Sequence, residues 1–160
     1  MNIFWLDDDM DKCVQYYTDR HIVKMITETA QILCSVYYYT EQDEMAHYNL
    51  THKNHPCCVW ARESLNNWLW LRDLGLKMYE EYRYRYQKPQ HKSGEVIKHL
   101  VTPNLPRKGI TPRPLCMPLE CKTEDVVQSY RNYYNQCKRH IFSWKNRDIP
   151  YWIEGLNLVG

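Results

Sequence analysis

Between Trp60 and Tyr86 the residues Trp60, Ser64, Trp68, Leu71, Gly75, Met78, Tyr82 and Tyr86 recur by threes and fours. That spacing keeps one face of an α-helix turned inward over some thirty residues. His55-Pro56 supplies the start, because a proline in the first turn lacks only an N–H that the helix does not use. The pattern predicts one long central helix from His55 to Tyr86. Glycine weakens a helix interior, so Gly75 in mid-stripe predicts the close approach of another helix.

The rest of the chain reads as shorter elements around that helix. Ile3-Phe4-Trp5-Leu6, followed by Asp7-Asp8-Asp9, predicts an apolar N-terminus tucked against the core. A short helix is expected over about Met10 to Tyr17, and a longer one from Asp19 as N-cap to about Tyr39. Thr40 to Asn54 is polar and aperiodic, hence a loop. Ser93 can cap a short helix through about Val101. Pro103, Pro106, Pro112, Pro114 and Pro118 crowd the stretch from Thr102 to Lys122, which predicts a pinned surface loop. Thr123-Glu124-Asp125 opens a last helix with the stripe Val126, Tyr130, Tyr134, Cys137, Ile141 and Trp144, and Ile149-Pro150-Tyr151-Trp152 is expected to fold back. A chain of 160 residues with 44% hydrophobic content can bury a core without staples. The expectation is a compact all-α fold, one helical domain over residues 1–160, with a long central helix, a tucked-in N-terminus and a Pro-rich loop.

Charge and cysteine usage narrow the function. With 21 basic and 19 acidic residues the net charge is +2, so any contact with nucleic acid must use a local basic patch. There are seven cysteines and neither a secretory signal nor a membrane-length apolar run, which predicts a reduced, intracellular, cytoplasmic protein with no membrane association. His52, His55, Cys57 and Cys58, with Cys116, Cys121 and Cys137 further on, lack the paired CxxC or HxxxH spacing of a zinc site. Free thiols, no metal and no cofactor are therefore expected. Asn49-Leu50-Thr51 is a chance sequon in such a protein. The aromatic load, 14 Tyr and 6 Trp against 2 Phe, favours rings with a polar tip, able to sit half in a core and half in a cleft where bases stack. No Walker loop or GxGxxG is present.

The chemistry-bearing spacing lies in the second helix. His21, Lys24 and Glu28 fall on one side, beside an apolar stripe of Ile22, Met25, Ile26, Thr29, Leu33 and Val36. A carboxylate at the rim of a core, beside an imidazole and an ammonium, is placed as acid/base groups commonly are. A solvated helix face with an ordinary Lys24–Glu28 ion pair has the same spacing. A second basic region is Tyr82-Arg83-Tyr84-Arg85-Tyr86-Gln87-Lys88, followed by His91, Lys92 and a helix start. It reads either as a phosphate seat or as cations complementing the dipole at a helix C-terminus.

An apolar N-terminus, then Asp19-x-His21 and Glu28, then a His-initiated aromatic helix, a third long helix and Pro150-Tyr151-Trp152, resembles the phage-type pyrimidine-dimer DNA glycosylases, the endonuclease V-type base-excision enzymes of DNA repair. The resemblance spans most of the chain in layout, and the Asp19-x-His21…Glu28 element is its specific part. It implies an all-α enzyme of a phage-infected cell whose N-terminal α-amine attacks C1′ of a damaged nucleotide, expels the base and forms a Schiff base. Glu28 would steer protons and promote elimination of the 3′ phosphate, and His21 would orient or polarise. α-Amines as a class titrate at about 7.7 to 8.0, so a useful fraction is nucleophilic near neutrality. The amine belongs to Met1, or to Asn2 if Met1 is removed; Asn at position two usually leaves Met1 in place. Family arginines beside and one turn beyond the catalytic Glu are Thr27 and Gln31 in this chain. The backbone grip is then expected from Arg20, Lys24, Arg62, Arg83, Arg85, Lys88, His91 and Lys92. Two other classes fit the same scaffold. One is a small-nucleotide protein using His52, His55, Arg62, His91 and Lys92, for instance one sequestering a nucleotide signal. The other is a helical interaction module. The sequence leaves oligomeric state open.

Overall fold

The computed structural model describes residues 1–155. Among them are six α-helices and no strand: α1 Met10–Tyr16, α2 Asp19–Ser35, α3 Pro56–Glu63, α4 Leu65–Tyr86, α5 Lys92–His99 and α6 Val126–Cys137. The fold is all-α. α4 is the axis, packed chiefly on α2, with α1, α3 and α5 along it. None of the described helices is long and apolar enough to cross a membrane.

The central helix is broken, where one was expected. Ser64 adopts φ −155° and ψ 144°, separating α3 from α4. A buried serine can offer the backbone an alternative to helix continuation. Here the Ser64 hydroxyl accepts from the Asn66 N–H at 3.1 Å and donates to the Gly109 carbonyl at 2.7 Å. The freed Leu65 N–H donates to the Pro106 carbonyl at 2.9 Å. The Pro-rich loop thus satisfies the new helix start, and it is pinned as expected. Trp60 donates its indole N–H to the Thr111 carbonyl at 3.1 Å, and Tyr130 its hydroxyl to the Pro114 carbonyl at 2.8 Å.

Helix ends shift for similar reasons. The α2 cap is Thr18, whose hydroxyl accepts from the His21 N–H at 3.3 Å, and Asp19 is the first helical residue. α2 ends at Ser35, and the chain tightens into a 3-10 turn over Val36–Tyr39. His91, two residues before the expected Ser93, caps α5. Asp125 caps α6 as read, but α6 ends at Cys137 and Ile141 falls in a separate 3-10 turn, Arg139–Ile141. The tail folds back: Asn135 donates to the Trp152 carbonyl at 3.1 Å, and the Trp152 ring packs near Tyr16 and Tyr134.

Two glycines mark close approaches. A Cβ at Gly75 would lie 2.8 Å from Ile97 Cδ1 and 3.1 Å from Thr29 Cγ2, so α4 meets α2 and α5 there, as the sequence predicts. A Cβ at Gly94 would lie 2.5 Å from the Tyr79 ring.

Candidate active site at the amino terminus

The segment before α1 has no regular secondary structure, yet Asn2 through Leu6 are buried. Elements far apart in sequence hold it. The Asn2 side-chain amide donates to the Cys116 carbonyl at 2.8 Å, and the Tyr17 hydroxyl donates to the Phe4 carbonyl at 2.9 Å. Arg131 donates from Nε to the Leu6 carbonyl at 2.8 Å and pairs with Asp7 at 2.9 Å. Phe4 lies between two rings, with His21 at 4.4 Å and Tyr133 at 5.9 Å between centroids.

This anchoring delivers the α-amine of Met1 to α2. Its nitrogen lies 3.0 Å from Glu28 Oε1, with the two side chains 2% and 16% exposed. Glu28 therefore pairs with the chain's own amine, and not with Lys24 as an ordinary helix face would have it. A cavity of about 110 Å³ opens over the pair, lined by Met1, Asn2, Phe4, His21, Lys24, Met25, Glu28, Tyr133 and Lys138. It is too small for a nucleotide and large enough for a sugar carbon to reach the amine.

His21 is buried, and burial, reinforced by Lys138, Lys24, Arg20 and His140, pushes its pKa down to about 3. It is neutral near neutral pH. Its Nδ1 lies 2.7 Å from the Tyr134 hydroxyl, which also accepts from the Thr18 N–H at 3.3 Å. The consistent assignment has Tyr134 donating to Nδ1, which leaves the proton of the neutral ring on Nε2. His21 is thus a neutral ring, held by Tyr134 and stacked on Phe4. Lys138, Lys24 and Arg20 gather positive charge around this cavity although the chain as a whole is nearly neutral.

The structure brings Met1, Asn2, His21, Lys24 and Glu28 together and distributes the other expected residues elsewhere. Asn2 serves as an anchor through its side chain, its Oδ1 accepting from the Ile3 N–H at 2.8 Å. Arg20 and Lys92 are exposed. His52 is exposed with a left-handed φ of 52°, its Nδ1 2.7 Å from the Thr51 hydroxyl. His55 caps α3 by accepting from the Cys57 N–H at 3.0 Å. Arg62 donates to the Lys53 carbonyl at 2.7 Å and covers the Tyr39 ring. Arg83 donates to the Pro89 carbonyl at 3.1 Å and lies over Tyr79.

Two expected phosphate ligands are committed to the fold. Arg85 is fully buried and donates to Glu81 at 2.7 Å, Asp19 at 3.1 Å, and the carbonyls of Tyr17 at 2.7 Å and Gln15 at 2.9 Å. A guanidinium with its donors already placed has none left for a phosphate. His91 uses one nitrogen to cap Ser93 and Gly94, at 3.2 and 3.4 Å, and the other to reach the Val23 carbonyl at 3.0 Å. Those contacts close the helix N-terminus that a phosphate would need. Phe4, Met25, Tyr133 and Lys138 were not legible as site residues. Tyr133 and Lys138 come from the end of the chain, and no local spacing links them to Glu28.

Beside the anchored Asn2, one donor atom each from His55, Cys57 and Cys116 lies within 4.8 Å of the others. This cluster was not expected from spacing, because Cys116 arrives from the Pro-rich loop. A larger depression, about 630 Å³, lies at Gln15, Tyr16 and residues 146–151; its charged groups are Arg147 and Asp148, without an amine or imidazole. The smaller cavity at Met1 is the one that brings an amine, a carboxylate and an imidazole together. Comparison of the chain with protein-family models, curated proteins and solved structures gives no match.

Proposed function

We propose that the protein is a DNA glycosylase/lyase that uses the Met1 α-amine as nucleophile and Glu28 as proton carrier. The observation that carries this reading is the 3.0 Å contact between the two at the floor of a cavity flanked by Lys24 and Lys138. An amine must lose a proton before it attacks, and Glu28 is the adjacent acceptor.

The amine nitrogen bonds to C1′ of an extruded nucleotide as the C1′–base bond breaks, and the base leaves with the electron pair and takes a proton. Opening of the sugar ring breaks C1′–O4′ and places a proton on O4′, for which protonated Glu28 is the donor. The product is an imine between Met1 and C1′. Glu28, again a carboxylate, removes a C2′ proton, and the C3′–O bond breaks with loss of the 3′ phosphate. Hydrolysis of the imine restores the amine. Lys24 and Lys138 supply positive charge for the flanking phosphates, and the aromatic wall of Phe4 and Tyr133 offers a surface to the sugar or base. The cavity's small volume supports a substrate whose bulk stays outside, as a polynucleotide's does, over a free nucleotide enclosed at the amine.

Borohydride trapping on duplex DNA carrying a pyrimidine dimer or an abasic site tests the reading, with the N-terminus first defined by mass spectrometry. The expected result is a covalent adduct on the α-amine of Met1. A folded protein that traps neither substrate would overturn amine chemistry on DNA and direct the search to free nucleotides. Glu28→Gln is expected to lower the elimination rate by about 100-fold or more while leaving the circular dichroism spectrum unchanged; retained turnover would remove Glu28 from the mechanism.

A further inference from the structure

We propose that His55, Cys57 and Cys116 form a tetrahedral zinc-class site that joins the start of α3 to the Pro-rich loop beside the N-terminal segment. The site uses other residues than the amine chemistry, since none of the three lines the cavity at Met1, but His55 adjoins it, bonded to the Met1 backbone and within reach of the charges of the amine and Glu28.

The geometry is close to that of a bound ion. The Cys57 and Cys116 sulfurs are 3.9 Å apart. With Zn–S bonds of about 2.3 Å, the edge of a tetrahedron between two sulfurs is about 3.8 Å. A disulfide would need roughly 2.0 Å. All three donor atoms fall within 4.8 Å of one another, so the imidazole needs only a small adjustment to complete the face. Two thiols and an imidazole match a tetrahedral, soft-accepting cation and do not match calcium or magnesium, which take oxygen ligands.

The fold also presets each ligand. In the turn His55-Pro56-Cys57 the imidazole accepts from the Cys57 N–H at 3.0 Å, which orients the two side chains together. Coordination through Nδ1 transfers that lone pair to the metal, whereas coordination through Nε2 keeps the cap. Cys116 is held by its own backbone, its N–H donating to the Tyr130 hydroxyl at 3.3 Å and its carbonyl accepting from Asn2 at 2.8 Å. Asn2 Oδ1, 3.8 Å from the Cys57 sulfur, already accepts from the Ile3 N–H at 2.8 Å and the Tyr130 hydroxyl at 3.3 Å, so water is the fourth donor. A metal here would clamp the loop and α3 around the residue that places Met1.

Cobalt(II) titration of the reduced, metal-stripped full-length protein tests the site. Expected is one equivalent bound, with the visible absorption of tetrahedral cobalt and a thiolate-to-cobalt charge-transfer band, both displaced by zinc. Both bands are expected to be lost in Cys57→Ser and Cys116→Ser and kept in Cys137→Ser. Should the buried Cys57 variant fail to fold, Cys116→Ser, on the loop and half-buried, decides. Absence of a tetrahedral cobalt spectrum in folded, reduced protein would overturn the proposal, as would a spectrum that survives Cys116→Ser or is lost in Cys137→Ser.

Discussion

Arg85 and His21 show how much a single side chain's role depends on what surrounds it. Arg85 sits in an alternating aromatic-basic run that reads as a nucleic-acid patch, but its guanidinium neutralises Glu81 and Asp19 inside the protein. Burial alone would raise the Glu81 pKa; hydrogen bonds from Arg147 and Arg85 overcome that and hold it lowered. Removing Arg85 leaves the half-buried Asp19 without its cation and the buried Glu81 with Arg147 alone, and it orphans the carbonyls of Tyr17 and Gln15, so Arg85→Ala is expected to cost about 3–5 kcal/mol in chemical denaturation. His21 is the reverse case, a buried base kept neutral. Its folded pKa of about 3 lies below its ordinary 6.5, so the unfolded chain binds more protons between those values. Stability from this residue is present above about pH 6.5 and is lost as pH falls towards 3, by up to about 1.4 kcal/mol per pH unit. Denaturation midpoints measured from pH 7 to 4 should show this slope, and His21→Gln should flatten it.

At the scale of elements, small residues fix the helix arrangement. α5 lies so near α4 that Gly94 touches the Tyr79 ring, where a Cβ would come within 2.5 Å. Gly94→Ala raises helix propensity but forces the ring aside, and overpacking of this kind costs about 1–3 kcal/mol. A lowered urea midpoint with unchanged slope is the expected outcome; a raised midpoint would show that α5 moves away freely. Ser64 acts in the other direction. The periodic stripe through it continues across the break, because a helix interrupted for one residue can resume on nearly the same face. Periodicity could not reveal the interruption, which depends on carbonyls of a loop some forty residues later in the chain.

For the whole molecule, a net charge of +2 conceals a local concentration of cations. Lys24, Arg20 and Lys138 all act on His21, and Lys24 and Lys138 border the cavity. If these two lysines each neutralise one phosphate, Lys24→Gln with Lys138→Gln should reduce the magnitude of the log–log salt slope for duplex binding by about 1.8. Fluorescence anisotropy over a salt series measures it. An unchanged slope would place the DNA path elsewhere on the surface.

The all-α class, the buried apolar N-terminus, the pinned Pro-rich loop and the His21–Glu28 spacing on one helix were legible in the amino-acid sequence. Each is a local property: 3.6-residue periodicity, proline density and residues one or two turns apart act within a few residues of one another. Tertiary structure alone decided that Met1 reaches Glu28, that Lys138 and Tyr133 close the cavity, that Arg85 is buried and that Cys116 meets His55 and Cys57. Those contacts join residues from distant parts of the chain. Only the packing of α2, α6 and the loop around the first six residues brings them within range, and short-range pattern carries no record of that packing.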